Sequence, residues 1–123
     1  MFAGSPDAEQ LAEVAEALRS CLLNLAQCRL KLERWDDAVD ACAGVLALPG
    51  ESNNLKARFR RGVALAALEK YEEAVDDLKA ACVLDPKSRE CREQYETAKA
   101  ALAAHRREER NVFGGMFAAP SSA

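Results

Sequence analysis

Lys56 and Arg60 stand four residues apart in a helix-prone stretch, so both project from one helix face and two cations can converge on one anion. Arg60 adds a planar fork of N–H donors suited to a carboxylate. Asn24, in the middle of an earlier helical stretch, offers an amide that can donate to the same anion. That chemistry is recognition and breaks no bond. Taken alone, a Lys and an Arg at this spacing more often mark a solvated helix face.

The other chemistry-bearing residues point away from catalysis. His105, the only histidine, is read as an isolated surface residue with neither a nucleophile nor a carboxylate placed beside it, so no triad is expected. The acidic groups Asp36, Asp37 and Asp40, and Glu72, Glu73, Asp76 and Asp77, read as solubilising patches on exposed helix faces. No phosphate-cradling glycine loop is present. Cys21, Cys28, Cys42, Cys82 and Cys91 form an odd set without CxxC spacing, which argues against a zinc site or a disulfide framework. Cys21 and Cys28 share a helix face but lie roughly 10 Å apart along its axis, beyond the ~7 Å Cα separation a disulfide tolerates. All five are expected to be small buried hydrophobes in a reducing compartment. No cofactor, metal or enzymatic activity is expected.

Seventeen basic against 20 acidic residues leave a net charge of −3, with both signs interspersed, so no positive field draws in nucleic acid or an anionic membrane. No apolar run reaches the roughly 20 residues of a membrane span, and Met1-Phe2-Ala3-Gly4 lacks a secretory leader pattern. A soluble, cytoplasmic chain is the expectation.

The elements that must position Asn24, Lys56 and Arg60 follow from a self-match. A shift of 36 residues lays Cys28 on Ala64, Trp35 on Tyr71, Ala38 on Ala74 and Asp40 on Asp76. An internal period near 34 residues means stacked helix pairs presenting a groove. The apolar stripe Leu11, Val14, Leu18, Leu22 and Leu25, behind an Asp7/Gln10 capping box, predicts a first helix over 7–32. Ala38, Val39, Cys42, Val45 and Leu46 predict a second over 36–48, ended by Pro49-Gly50. Cap residues in Glu51-Ser52-Asn53-Asn54 open a third over 54–68. Tyr71 to Leu84 forms a fourth, ended by Asp85-Pro86. Ser88 caps a fifth, striped by Cys91, Tyr95, Ala98 and Leu102, which runs to Arg110. Gly114-Gly115 and the Ala-Pro-Ser tail are expected to be loose. No strand pattern appears, so the fold class is all-α. Gly62, Ala38, Ala74 and Ala81 let helices approach closely, while Trp35, Tyr71, Phe59 and the leucines fill the gaps.

At Arg61-Gly62, Tyr71, Ala74, Ala81 and Pro86 the order and spacing resemble a tetratricopeptide repeat, and Leu25-Ala26, Trp35 and Ala38 resemble a second copy with a loop two residues longer. More narrowly, Leu23-Asn24-Leu25-Ala26-Gln27-Cys28-Arg29-Leu30-Lys31-Leu32, Lys56-Ala57-Arg58-Phe59-Arg60-Arg61-Gly62, Tyr71-Glu72-Glu73-Ala74 and the basic run to Met116-Phe117 resemble the C-terminal repeat domain of large immunophilins of the FKBP and cyclophilin types. The resemblance covers roughly residues 7 to 117. It implies an α-solenoid domain over 7–110, with a first repeat at 7–50, a second at 53–86, a capping helix at 88–110 and a flexible tail at 111–123.

The resemblance also implies a co-chaperone module. In that family a clamp of basic and amide side chains grips the acidic C-terminal tail of heat-shock chaperones, the ninety-kilodalton class foremost. Asn24, Lys56 and Arg60 stand at three clamp positions; two more belong to a preceding repeat. Rival expectations are a repeat scaffold binding an internal segment of another protein, or a fragment of a peptidyl-prolyl isomerase whose catalytic domain lies upstream. Arg58 and Arg61 fall on other faces and read as solvated or structural. With no upstream repeat to cover Leu11, Val14 and Leu18, self-association through the first helix is expected. The run His105 to Arg110 with Val112, Phe113, Met116 and Phe117 has a calmodulin-target flavour. Glu108 and Glu109 dilute it and Gly114-Gly115 should interrupt it, so it reads as a solvated cap.

Overall fold

The computed structural model describes residues 7–117, which form five α-helices: α1 (Ala8–Lys31), α2 (Trp35–Leu46), α3 (Leu55–Ala67), α4 (Tyr71–Leu84) and α5 (Arg89–Phe117). Each helix packs on its neighbours in the chain, and α1, α3 and α5 also touch in sequence across one side. The result is an inner row of α1, α3 and α5 backed by an outer row of α2 and α4. No strand occurs among the described residues.

Local chemistry sets the helix starts. Asp7 caps α1 through a reciprocal box with Gln10, its Oδ1 accepting from the Gln10 amide at 2.8 Å. The Asn54 side chain accepts from the Ala57 amide to start α3, and Ser88 Oγ accepts from the Cys91 amide to start α5.

The turns inside the two hairpins are copies of one another, 36 residues apart. Two residues past the end of α1 stands Glu33 at φ 57°, and two past the end of α3 stands Glu69 at φ 61°. In each, the amide after this residue reaches back to the carbonyl five residues earlier, Arg34 to Arg29 and Lys70 to Leu65. These are Schellman closures built without glycine. Each directs the chain straight into α2 or α4.

The core is made of small residues. Ala26, Ala41, Cys42, Val45 and Ala57 form one buried cluster, with Leu22, Leu23 and Leu46 packed against it. Ala64, Ala74, Leu78 and Ala81 are fully sealed around the second hairpin. Gly62 makes the closest crossing: a Cβ there would lie 2.7 Å from Cγ of Leu78. The longer α2–α3 connection is braced by Glu51, whose carboxylate accepts from Arg19 of α1 at 2.7 Å and from Asn54 at 3.0 Å. Those two bonds hold the Glu51 carboxyl below its ordinary range.

Three expectations need correction. Helix α5 does not stop at Arg110 but continues through Gly114 and Gly115 to Phe117. A continuous helix satisfies the glycine amides in its own ladder, which outweighs a propensity penalty of about 1 kcal/mol per glycine. The residues beyond 117, where the Ala-Pro-Ser tail was expected to be loose, lie outside the described residues. Second, Cys21 and Cys28 are exposed and Cys82 is half-buried; Cys42 and Cys91 alone are buried. Third, Asp77 is not part of a surface patch but is only 2% exposed, inside the α3–α4 interface. On α1, Leu11, Val14 and Leu18 stand exposed.

Candidate peptide-binding groove

A groove of about 520 Å³ runs between the inner helices. Helix α1 contributes Gln27, Leu30 and Lys31, and α3 contributes Leu55, Lys56, Phe59, Arg60 and Val63. The far wall holds Asp85 and Ser88 from the α4–α5 turn, with Glu90, Cys91 and Gln94 from α5. On α3 the spacing 56, 59, 60, 63 is a single helix face. That face turns to the groove because the opposite one is locked elsewhere. Asp77 of α4 accepts from Arg58 Nη1 at 2.9 Å, from Arg61 Nε at 2.6 Å and from Arg61 Nη2 at 2.9 Å. Arg58 and Arg61, residues that flank Arg60, are therefore structural.

Lys56 and Arg60 are brought together on the groove wall. Arg60 is half-buried and donates from Nη1 to the Leu23 carbonyl of α1 at 2.8 Å. One of its five N–H groups is thereby used to fix the guanidinium, and the rest of the fork stays available. Asn24 follows Leu23 directly, is exposed, and does not line the groove itself. It occupies the same α1 face as Gln27 and Lys31, three and seven residues on. Arg60, expected as a clamp cation, also ties α3 to α1.

Gln27, Lys31, Asp85, Glu90 and Gln94 are groove residues that the sequence reading did not single out. A signal for the last two was present, since Glu90 and Gln94 lie 34 residues beyond Lys56 and Arg60 and so occupy the same two positions on the next inner helix. Phe59 and Val63 give the groove an apolar floor.

His105 also differs from expectation. Its Nε2 lies 3.2 Å from Glu109 Oε1, one helical turn on, and its ring stacks obliquely on Tyr71 at 5.8 Å between centroids. Next to it Arg106 pairs with Glu72 at 2.7 Å. These contacts seat α5 against the start of α4. Among the described residues no cluster of three or more His, Cys, Asp or Glu is arranged to hold a metal ion, and no helix is long and apolar enough to cross a membrane.

The tetratricopeptide repeat family matches residues 55–88, the stretch from the start of α3 to the residue capping α5. Over 107 residues, 86% of this chain, the sequence is 34% identical to the human (Homo sapiens) peptidyl-prolyl cis-trans isomerase FKBP4, of whose length it spans 23%. A solved structure, the C-terminal TPR-containing domain of a Plasmodium falciparum FK506-binding protein, superposes with a TM-score of 0.79 at 32% identity, over 84% of this chain and 67% of that one.

Proposed function

The chain belongs to the tetratricopeptide-repeat family, in the form carried at the C-terminal end of FK506-binding proteins, and we propose that its groove binds the acidic C-terminal tail of a heat-shock chaperone of the ninety-kilodalton class. Lys56 and Arg60 grip the terminal carboxylate and the acidic side chain next to it, and Asn24 donates to the same anion. What matches is the repeat domain of such proteins and not their isomerase domain, so the chain acts by binding and is not itself an enzyme.

One observation carries this reading: Lys56 and Arg60 line the same groove wall, with the Arg60 fork already held by the Leu23 carbonyl. A guanidinium fixed before the ligand arrives loses less entropy on binding, and its two-pronged geometry fits a carboxylate. Charge-assisted hydrogen bonds of roughly 1.5–3 kcal/mol each, less the cost of ordering a flexible peptide, give a modest and salt-sensitive affinity. A reducing cytoplasmic setting suits the five free thiols.

The test is a titration of one acidic peptide in two forms, with a free C-terminal carboxylate and with a C-terminal amide. The free acid should bind at least tenfold more tightly, and Lys56→Ala should narrow the difference. Equal binding of the two forms would instead favour a groove that takes an internal segment of its partner.

A further inference from the structure

The groove is divided by charge. Its α1–α3 wall carries Lys31, Lys56 and Arg60, while the facing wall carries Asp85 and Glu90. Among the described residues, Lys31, Lys56, Asp85 and Glu90 have no side-chain hydrogen bond or ion pair. The acids therefore do not neutralise the cations; both signs are presented to whatever lies between them. The repeat makes the reversal explicit, for Glu90 occupies on α5 the position that Lys56 occupies on α3.

An all-acidic peptide lying along this groove would meet Glu90 with like charge. A peptide whose acidic end sits at Lys56 and Arg60, and whose upstream part carries a lysine or arginine, meets opposite charge at both walls. Resting on the carboxylate-binding reading above, we infer that Glu90, supported by Asp85, is a specificity-determining residue that selects C-terminal peptides bearing a cation upstream of their acidic end. Neighbouring helices pack about 10 Å apart, and an extended peptide advances about 3.3 Å per residue. The selected cation lies about three residues before the acidic group held by Lys56 and Arg60.

The experiment measures binding of acidic peptides with a free carboxylate in which a single lysine is moved through the third to sixth residues from the end, against an alanine control, each also made as the amide. With the native chain, lysine at one or two of these positions should tighten binding about 2- to 5-fold, the range of a partly exposed ion pair, and the gain should shrink at high salt. Glu90→Gln should abolish the lysine preference while retaining the alanine peptide, and Glu90→Lys should invert it. Dependence on the free carboxylate with no lysine preference at any position overturns this inference and leaves the function standing. Loss of the carboxylate dependence overturns both.

Discussion

Asp77 and Arg61 are joined through a 2.6 Å bond from Nε to Oδ2, with the carboxylate sealed between α3 and α4 and the guanidinium reaching in from its edge. Arg58 closes the other side at 2.9 Å. The buried acid is thus what fixes the roll of α3, and that roll points Lys56 and Arg60 into the groove. Asp77→Ala leaves two cations half-buried without their partner. We expect a loss of about 2–4 kcal/mol, near or below that of a fully buried pair because both arginines keep some solvent. Arg58→Ala should cost less, since Arg61 still holds the acid. Midpoints of urea unfolding measure both, and an Asp77→Ala variant as stable as the parent would show that the lock is dispensable.

Lys56 and Arg60 should separate in their effects. Lys56 makes no bond to the fold, so Lys56→Ala should leave the melting temperature unchanged while weakening the proposed peptide binding. Arg60→Ala also removes the tie to the Leu23 carbonyl and should cost about 1–2 kcal/mol of stability besides. Calorimetric melts of the two variants in parallel decide it. Identical melting temperatures would mean that the bond to Leu23 contributes nothing.

Two glycine positions in helices should respond to alanine with opposite sign. At Gly62 a Cβ would sit 2.7 Å and 2.9 Å from the branch atoms of Leu78, a side chain with no room to retreat. Overpacking of about 1–3 kcal/mol exceeds the ~1 kcal/mol gained in helix propensity, so Gly62→Ala destabilises. Gly114 has nothing within 4 Å, so Gly114→Ala firms the end of α5 and raises helical content by circular dichroism. A stabilised Gly62→Ala variant would contradict the tight crossing.

At the hairpin turns Glu69 occupies the left-handed region that glycine adopts freely. Glu69→Gly should leave stability unchanged or raise it, whereas the β-branched Glu69→Val should lower it by about 1–2 kcal/mol. Glu33, its copy in the first hairpin, should behave the same way. Chemical denaturation of the four variants reads the outcome, and a stable valine variant would argue against the left-handed turn.

Burial and thiol chemistry predict the order of alkylation. Desolvation pushes the Cys42 thiol up from 9.0 to about 11, and burial raises Cys82 as well. A raised thiol pKa leaves less thiolate at a given pH. With iodoacetamide at pH 8, Cys21 and Cys28 should be modified first and Cys42 last, its rate rising as pH climbs toward 11 or as the chain unfolds. Mass spectrometry resolves the sites; early modification of Cys42 in the folded protein would show that its cover opens.

The helices and their repeat were legible in the sequence because their causes are local. The Asp7/Gln10 box, the Asn54 and Ser88 caps, Pro49 and Pro86, and the stripe of every third or fourth residue each act within a turn or two of chain. The grouping of Lys56 with Arg60 was legible for the same reason. What only the tertiary structure decided is which face meets which. Asp77 looks like its exposed neighbour Asp76 until α3 brings two arginines to it, and Arg60 looks like a free cation until α1 presents the Leu23 carbonyl. The charge of the far groove wall depends on α5 lying beside α3. A side chain's surroundings are set by contacts across tens of residues of chain, and composition and period carry no record of them.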